Sequence, residues 1–137
     1  MNQRYCILNP NGGPITIRIS ANNTLRASGN FSIQAKSLDN WQVTEQWQQA
    51  AGDTGSSDHT VQTAPAALEG KAFAGLINCC ALLANADMGA VEIQVLQNGV
   101  SLPLTKPMHW NLTGVPNCNS GNAQQFNTSL IFLTHQP

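Results

Sequence analysis

The segment AVEIQVLQNGVSLPLTK, residues 90–106, restricts this chain's fold more than any other. Asn98-Gly99 suits a two-residue type I′ turn, because both central positions of that turn need positive φ. The turn sets Gln97 opposite Val100, Val95 opposite Leu102 and Ile93 opposite Leu104. Two apolar pairs then share one face, while Gln94 and Pro103 share the other. Turn chemistry and hydrophobic register agree, so an antiparallel hairpin is expected here. Pro103 has no N–H to give a ladder, which puts its arm at a sheet edge.

Other segments repeat the period of two. In PITIRIS, Ile15, Ile17 and Ile19 alternate with Thr16, Arg18 and Ser20. In NFSIQAK, Phe31, Ile33 and Ala35 face one way and Ser32, Gln34 and Lys36 the other, as half-buried strands do. YCIL precedes NPNGGP, a loop suited to chain reversal, so residues 4–8 and 14–20 are expected as consecutive strands of a hairpin. QFNTSLIFLTH is apolar on both faces around Leu130 to Leu133, the pattern of a central strand. These signals predict an all-β fold, an antiparallel β-sandwich or jelly roll formed as a single domain over residues 1–137.

Two stretches admit a short helix instead. Over residues 66–84, Leu68, Ala72, Leu76, Cys79 and Leu83 fit a helical stripe, although Gly70 and Gly75 weaken it. Over residues 39–51, Asp39 could cap a helix whose stripe is Val43, Trp47, Ala50 and Ala51. The strand reading is preferred for both. As a strand, the second stretch puts Trp41, Val43, Glu45 and Trp47 on one face.

Composition enters where function is concerned. Only 9% of residues are charged, and polarity comes from 15 Asn, 12 Gln, 10 Thr and 9 Ser. Such neutral hydrogen-bonding chemistry is common in lectins, adhesins, secreted modules and self-assembling subunits. Six basic residues against seven acidic ones form no cluster, which argues against nucleic acid as a partner. No run of about 18 apolar residues predicts a membrane span, and MNQRYCILNPNGG lacks the pattern of a signal peptide. The composition leans towards a secreted or cell-surface protein.

The expected function is a non-enzymatic binding module for a neutral polar ligand such as a carbohydrate. An exposed indole would stack on a sugar face while Asn, Asp and Gln bond its hydroxyls. The candidate residues are Trp41 and Trp47, then Asp53, Asp58 and His59 in the following loop, His109, Trp110 and Asn111, and Asn119. Core packing is the preferred reading for Trp47, and for Trp41 the two readings balance. Asp58-His59 is not a catalytic pair, because neighbouring side chains in a strand diverge. No nucleophile-elbow, zinc-protease or phosphate-loop motif occurs. Asp53 and Asp58 do not match a calcium loop, and no cofactor or metal is expected.

Cys6, Cys79, Cys80 and Cys118 follow no zinc spacing. Four reduced thiols, with Cys6 and one of the adjacent pair in the core, is the preferred reading. A bridge from Cys118 to Cys6 or to the 79/80 pair would imply an oxidising compartment. Asn22, Asn30, Asn111 and Asn127 begin N-x-[ST] triplets, which matter only on a eukaryotic secretory route. The rival function is a structural or self-assembly subunit whose apolar hairpin face packs on a second copy, giving a homo-oligomer.

Overall fold

A computed structural model describes residues 3–22, 24–51, 55–83 and 87–135. Among the described residues these segments become ten strands: β1 (Tyr5–Ile7), β2 (Ile15–Ala21), β3 (Leu25–Ser37), β4 (Asn40–Ala51), β5 (Ser56–Thr60), β6 (Ala72–Ala81), β7 (Gly89–Gln97), β8 (Val100–Ser101), β9 (Met108–Leu112) and β10 (Gln124–Leu133). They build two sheets. One runs β1-β10-β6-β3-β4; the other runs β5-β2-β7-β8, with β9 also paired to β7. The described strand pairs are antiparallel except β1 with β10.

Both helical alternatives are replaced by strands, β4 over residues 39–51 and β6 over most of 66–84. Only a short 3-10 turn, Pro65–Leu68, precedes β6. Gly75, which weakened the helix, has a packing role instead. It pairs with Phe31 across the ladder, and a Cβ on Gly75 or on Gly29 would run into the Phe31 ring.

The inward side chains are the ones the alternation marks. Ile15, Ile17 and Ile19 from β2 and Val91, Ile93 and Val95 from β7 meet Phe31, Ile33, Phe73, Ile77, Leu130 and Phe132 from the facing sheet. Each such side chain removes apolar surface from water, which stabilises the fold by about 1.5–3 kcal/mol for a side chain of this size.

Asn98 and Gly99 have φ of 54° and 76°, and Gln97 pairs with Val100 as the turn requires. The Leu102 N–H still reaches the Val95 carbonyl at 2.7 Å. The ladder then ends, and Ile93 pairs with Met108 of β9 rather than with Leu104. Leu104 bridges to Cys6 of the other sheet. Pro103 follows β8, at the end of its sheet. Ile93 and Val95 are core residues, so this hairpin face is not available to a second copy.

The N-terminal hairpin does not form. β1 pairs with β10 in one sheet and β2 with β5 and β7 in the other, so NPNGGP crosses between layers. The side chain of Gln97 holds that crossing. It accepts from the Asn9 N–H at 2.9 Å and donates to the carbonyls of Asn9 (2.7 Å) and Gly13 (3.0 Å).

Cys80 and Cys118 form a disulfide, and Cys6 and Cys79 are buried free thiols. The expectation of four reduced thiols is corrected. Cys79 lies in the core and Cys80 points to the opposite face, as adjacent strand residues must. Only Cys80 can therefore meet the loop that carries Cys118.

Candidate functional site

The tryptophans separate into three environments. β3 and β4 pair in register from Ala27–Ala51 to Ile33–Glu45, and then Gln34 pairs with Val43. Thr44 is left as a β-bulge, its hydroxyl donating to the Ile33 carbonyl at 3.2 Å. Directly paired residues share a face, so the bulge divides the stretch. Glu45 and Trp47 follow Ile33 and Phe31 inward, whereas Val43 and Trp41 follow Gln34 and Lys36 outward. The expectation that all four share one face is corrected, because an extra residue inverts a period of two.

Trp47 closes one side of the sandwich, between the edge strands β4 and β5. Its indole stacks on His59 with centroids 4.0 Å apart and planes at 9°, and its Nε1–H donates to Gln49 Oε1 at 2.9 Å. Glu45 sits beside it, 3.5 Å from His59 Nε2. Its carboxylate accepts from the N–H groups of Gln62 (2.8 Å) and Thr63 (3.1 Å) and from the Thr63 hydroxyl (3.0 Å). Burial raises the carboxyl pKa of Glu45, but these bonds outweigh burial and hold it below the ordinary value. Three hydrogen bonds and a ring stack already occupy this cluster, so it fastens residues 62–63 to β4.

Trp110 closes the opposite side, tilted against Phe126 at 4.8 Å between centroids. β5 and β9 are opposite edges of one sheet, with β2 and β7 between them. His59 and Trp110 are therefore separated by three strand spacings, roughly 14 Å. His109 and Asn111 point outward from β9, where His109 Nδ1 lies 3.7 Å from Glu92 and its Nε2 lies 3.4 Å from Asn111 Oδ1. Asn119 lies in a 3-10 turn, Cys118–Ser120, its N–H bonded to Asn117 Oδ1.

Asp58 points away from His59 and makes a two-pronged ion pair with Arg18, at 2.7 and 2.9 Å. That hydrogen bond holds the Asp58 carboxyl below its ordinary pKa. Asp53 lies outside the described residues. Among the described residues no group of three or more His, Cys, Asp or Glu could hold a metal ion, and no helix is long and apolar enough to cross a membrane. The described residues of the expected site are thus spread over both sides of the sandwich, the outer faces of both sheets and the Cys118–Ser120 turn; they do not converge.

What converges is the outer face of the other sheet. Register aligns Gln48, Asn30, Leu76 and Asn127 in one row across β4, β3, β6 and β10. The adjacent row is Gln46, Ser32, Ala74 and Ser129, and the row beyond Asn30 is Ala50, Ser28, Asn78 and Gln125. An open groove of about 610 Å³ crosses the first two rows over β3, β6 and β10, from Asn30 and Ser32 to Asn127 and Ser129, with Arg4 and Lys106 at the β10 side. Among the described residues, Asn30, Gln46, Gln48 and Asn127 have no side-chain hydrogen bond, while Gln34 donates to Ser32 and Gln125 to Asn78.

No family model, curated protein or solved structure matches this chain.

Trp41 stands on the same outer face, 41% exposed, with Lys36 Nζ 6.0 Å from its ring centroid. Only β4 supports β3 beyond Gln34, so residues 35–43 project as a two-stranded arm tipped by Leu38. From the Ser32 row to the Lys36–Trp41 pair is four residues, roughly 13 Å. Of the expected site residues that are described, Trp41 alone joins this face. The amides beside it were missed because each is merely the polar half of an ordinary strand alternation.

Proposed function

We propose that this chain is a non-enzymatic module that binds a carbohydrate on the outer face of the β1-β10-β6-β3-β4 sheet. The observation that carries the reading is the row Gln48, Asn30, Leu76 and Asn127, three amides without internal partners around one exposed apolar side chain. Amide groups offer both donors and acceptors, which matches sugar hydroxyls, and Leu76 can meet sugar C–H groups. Trp41 at the end of the face supplies an aromatic surface for a further ring. A sheet fixes these groups in advance, so little ordering entropy is lost on binding. The Cys80–Cys118 bridge is in keeping with an oxidising compartment such as the extracellular space.

The test is a calorimetric titration with a panel of oligosaccharides, using the intact chain and an Asn30→Ala/Asn127→Ala variant. Binding by the parent chain and its loss in the variant, with unchanged thermal unfolding, is the expected result. Equal binding by both would remove this face from the reading.

The rival reading is self-assembly, favoured by the projecting arm. Leu38 is 93% exposed and Val43 52% exposed, and β4 leaves one edge of its ladder open, a common template for pairing with another chain. Light scattering that reports a single-copy mass at high concentration would dispose of it.

A further inference from the structure

Arg4 and Lys106 give the groove a property its amides do not. The Arg4 guanidinium is held by neutral acceptors: Nε bonds the Lys106 carbonyl at 2.7 Å, Nη1 bonds Thr128 Oγ1 at 3.1 Å and the Ser129 carbonyl at 3.0 Å, and Nη2 bonds the Pro107 carbonyl at 3.4 Å. Four of its five N–H groups are so used, which leaves one N–H and the whole positive charge. The first bond also ties Lys106 beside it. The Lys106 side chain has no partner among the described residues.

No carboxylate lines the groove. Of the described acids, Asp58 pairs with Arg18, Glu45 lies inward on β4, Glu69 accepts from Thr134 and Glu92 faces outward from the other sheet beside His109, while Asp39 and Asp87 lie outside the groove's lining. Lys36 adds a further cation on the groove's own face, next to Trp41. A chain of net charge −1 thus sets two cations, a fixed Arg4 guanidinium and the exposed Lys106 ammonium beside it, at one end of a neutral hydrogen-bonding groove.

We infer that the groove takes an acidic glycan, with a carboxylate or sulfate at the Arg4–Lys106 end and neutral hydroxyls over the Asn30–Asn127 row. This rests on the carbohydrate reading above and deepens it. Both anions share the recognised chemistry, a planar or tripodal set of oxygens that accepts from a guanidinium and an ammonium. Two cations are too few for the phosphate tracking of nucleic acid, whereas they suffice for one acidic group held among hydroxyl contacts.

The test is a glycan array carrying matched neutral, carboxylated and sulfated forms of the same oligosaccharides, followed by titration of the best ligands. The expected result is at least tenfold tighter binding of an acidic form than of its neutral parent at low salt. That gap shrinks severalfold in 0.5 M NaCl, where screening is strong, and in Lys106→Gln. Lys71→Gln, which removes a cation away from the groove, leaves the gap unchanged. The array separates carboxylate from sulfate. Equal binding of neutral and acidic forms overturns this inference while the carbohydrate reading stands. Equal loss in Lys71→Gln also overturns it, because net charge alone would then account for the preference. Absence of binding to every form overturns both.

Discussion

Opening the Cys80–Cys118 bridge in a Cys80→Ser/Cys118→Ser variant has a magnitude that follows from the chain length it closes. The two cysteines are 38 residues apart. In the loop-closure picture, releasing a loop of that length returns about 13 cal/mol/K to the unfolded chain, or about 4 kcal/mol at 25 °C. The folded state should change little. The loop around Cys118 keeps the Ala81 N–H to Pro116 carbonyl bond at 2.7 Å and the Val115 N–H to Asp87 carbonyl bond at 3.0 Å. Near its midpoint a chain of 137 residues unfolds with an entropy of about 0.29 kcal/mol/K, so the midpoint should fall by ~14 °C. Urea unfolding of parent and variant with a common m value is the assay. A loss below about 1 kcal/mol would refute the reasoning, since the bridge would then not be constraining the unfolded chain.

Gly75→Ala forces a methyl group into the Phe31 ring and should cost about 1–3 kcal/mol by overpacking; a shorter side chain in Phe31→Leu/Gly75→Ala should recover part of that in urea unfolding. Glu45→Gln should cost about 1.5–3 kcal/mol at pH 7, the usual range for hydrogen bonds to a charged group. The folded carboxyl of Glu45 lies below its unfolded value, so its contribution is complete above the ordinary carboxylate range and is lost as pH falls through the lower folded value. Acid titration of stability should accordingly be shallower in the variant over that window. Burial pushes the Cys6 thiol up to about 12 and the Cys79 thiol to about 11, and a thiol-reactive dye at pH 8 should count none in the folded chain and two after unfolding without reductant.

What could be read from the sequence was local and periodic. Asn98-Gly99 stated its turn and the pairs next to it, because both signals sit within a few residues of each other, but the expected Ile93–Leu104 pair gives way to Ile93–Met108. β2 and β10 were legible for the same reason, their apolar positions alternating or clustering without interruption. Cys6 and Cys79 lie in the core, as expected of Cys6 and one of the adjacent Cys79 and Cys80, because neighbouring residues of a strand face opposite ways. The bulge at Thr44 was not legible. No residue type marks it, yet it moves Trp41 and Val43 to the opposite face from Trp47 and Glu45.

The failure of the N-terminal hairpin has a different cause. NPNGGP has the residues of a reversal, but whether its flanking strands pair depends on Gln97, about 90 residues away, and on β10, about 120 residues away. The candidate site was hidden by distance in the same way. Asn30, Gln48, Leu76 and Asn127 become neighbours only through three strand registers, and each alone is an unremarkable outward residue. The residues that had drawn attention were rarer types. Trp47, His59 and Trp110 turned out to close the two sides of the sandwich, where large rings cover the gap between sheets.

The most direct measurement of the proposed binding face is a two-dimensional amide NMR titration with the strongest glycan from the array. The expected shifts cluster on Asn30, Ser32, Leu76, Asn127 and the Trp41 indole, with the indoles of Trp47 and Trp110 unmoved. Shifts centred instead on His59, His109 and Asn119, or none at saturating glycan, would contradict it.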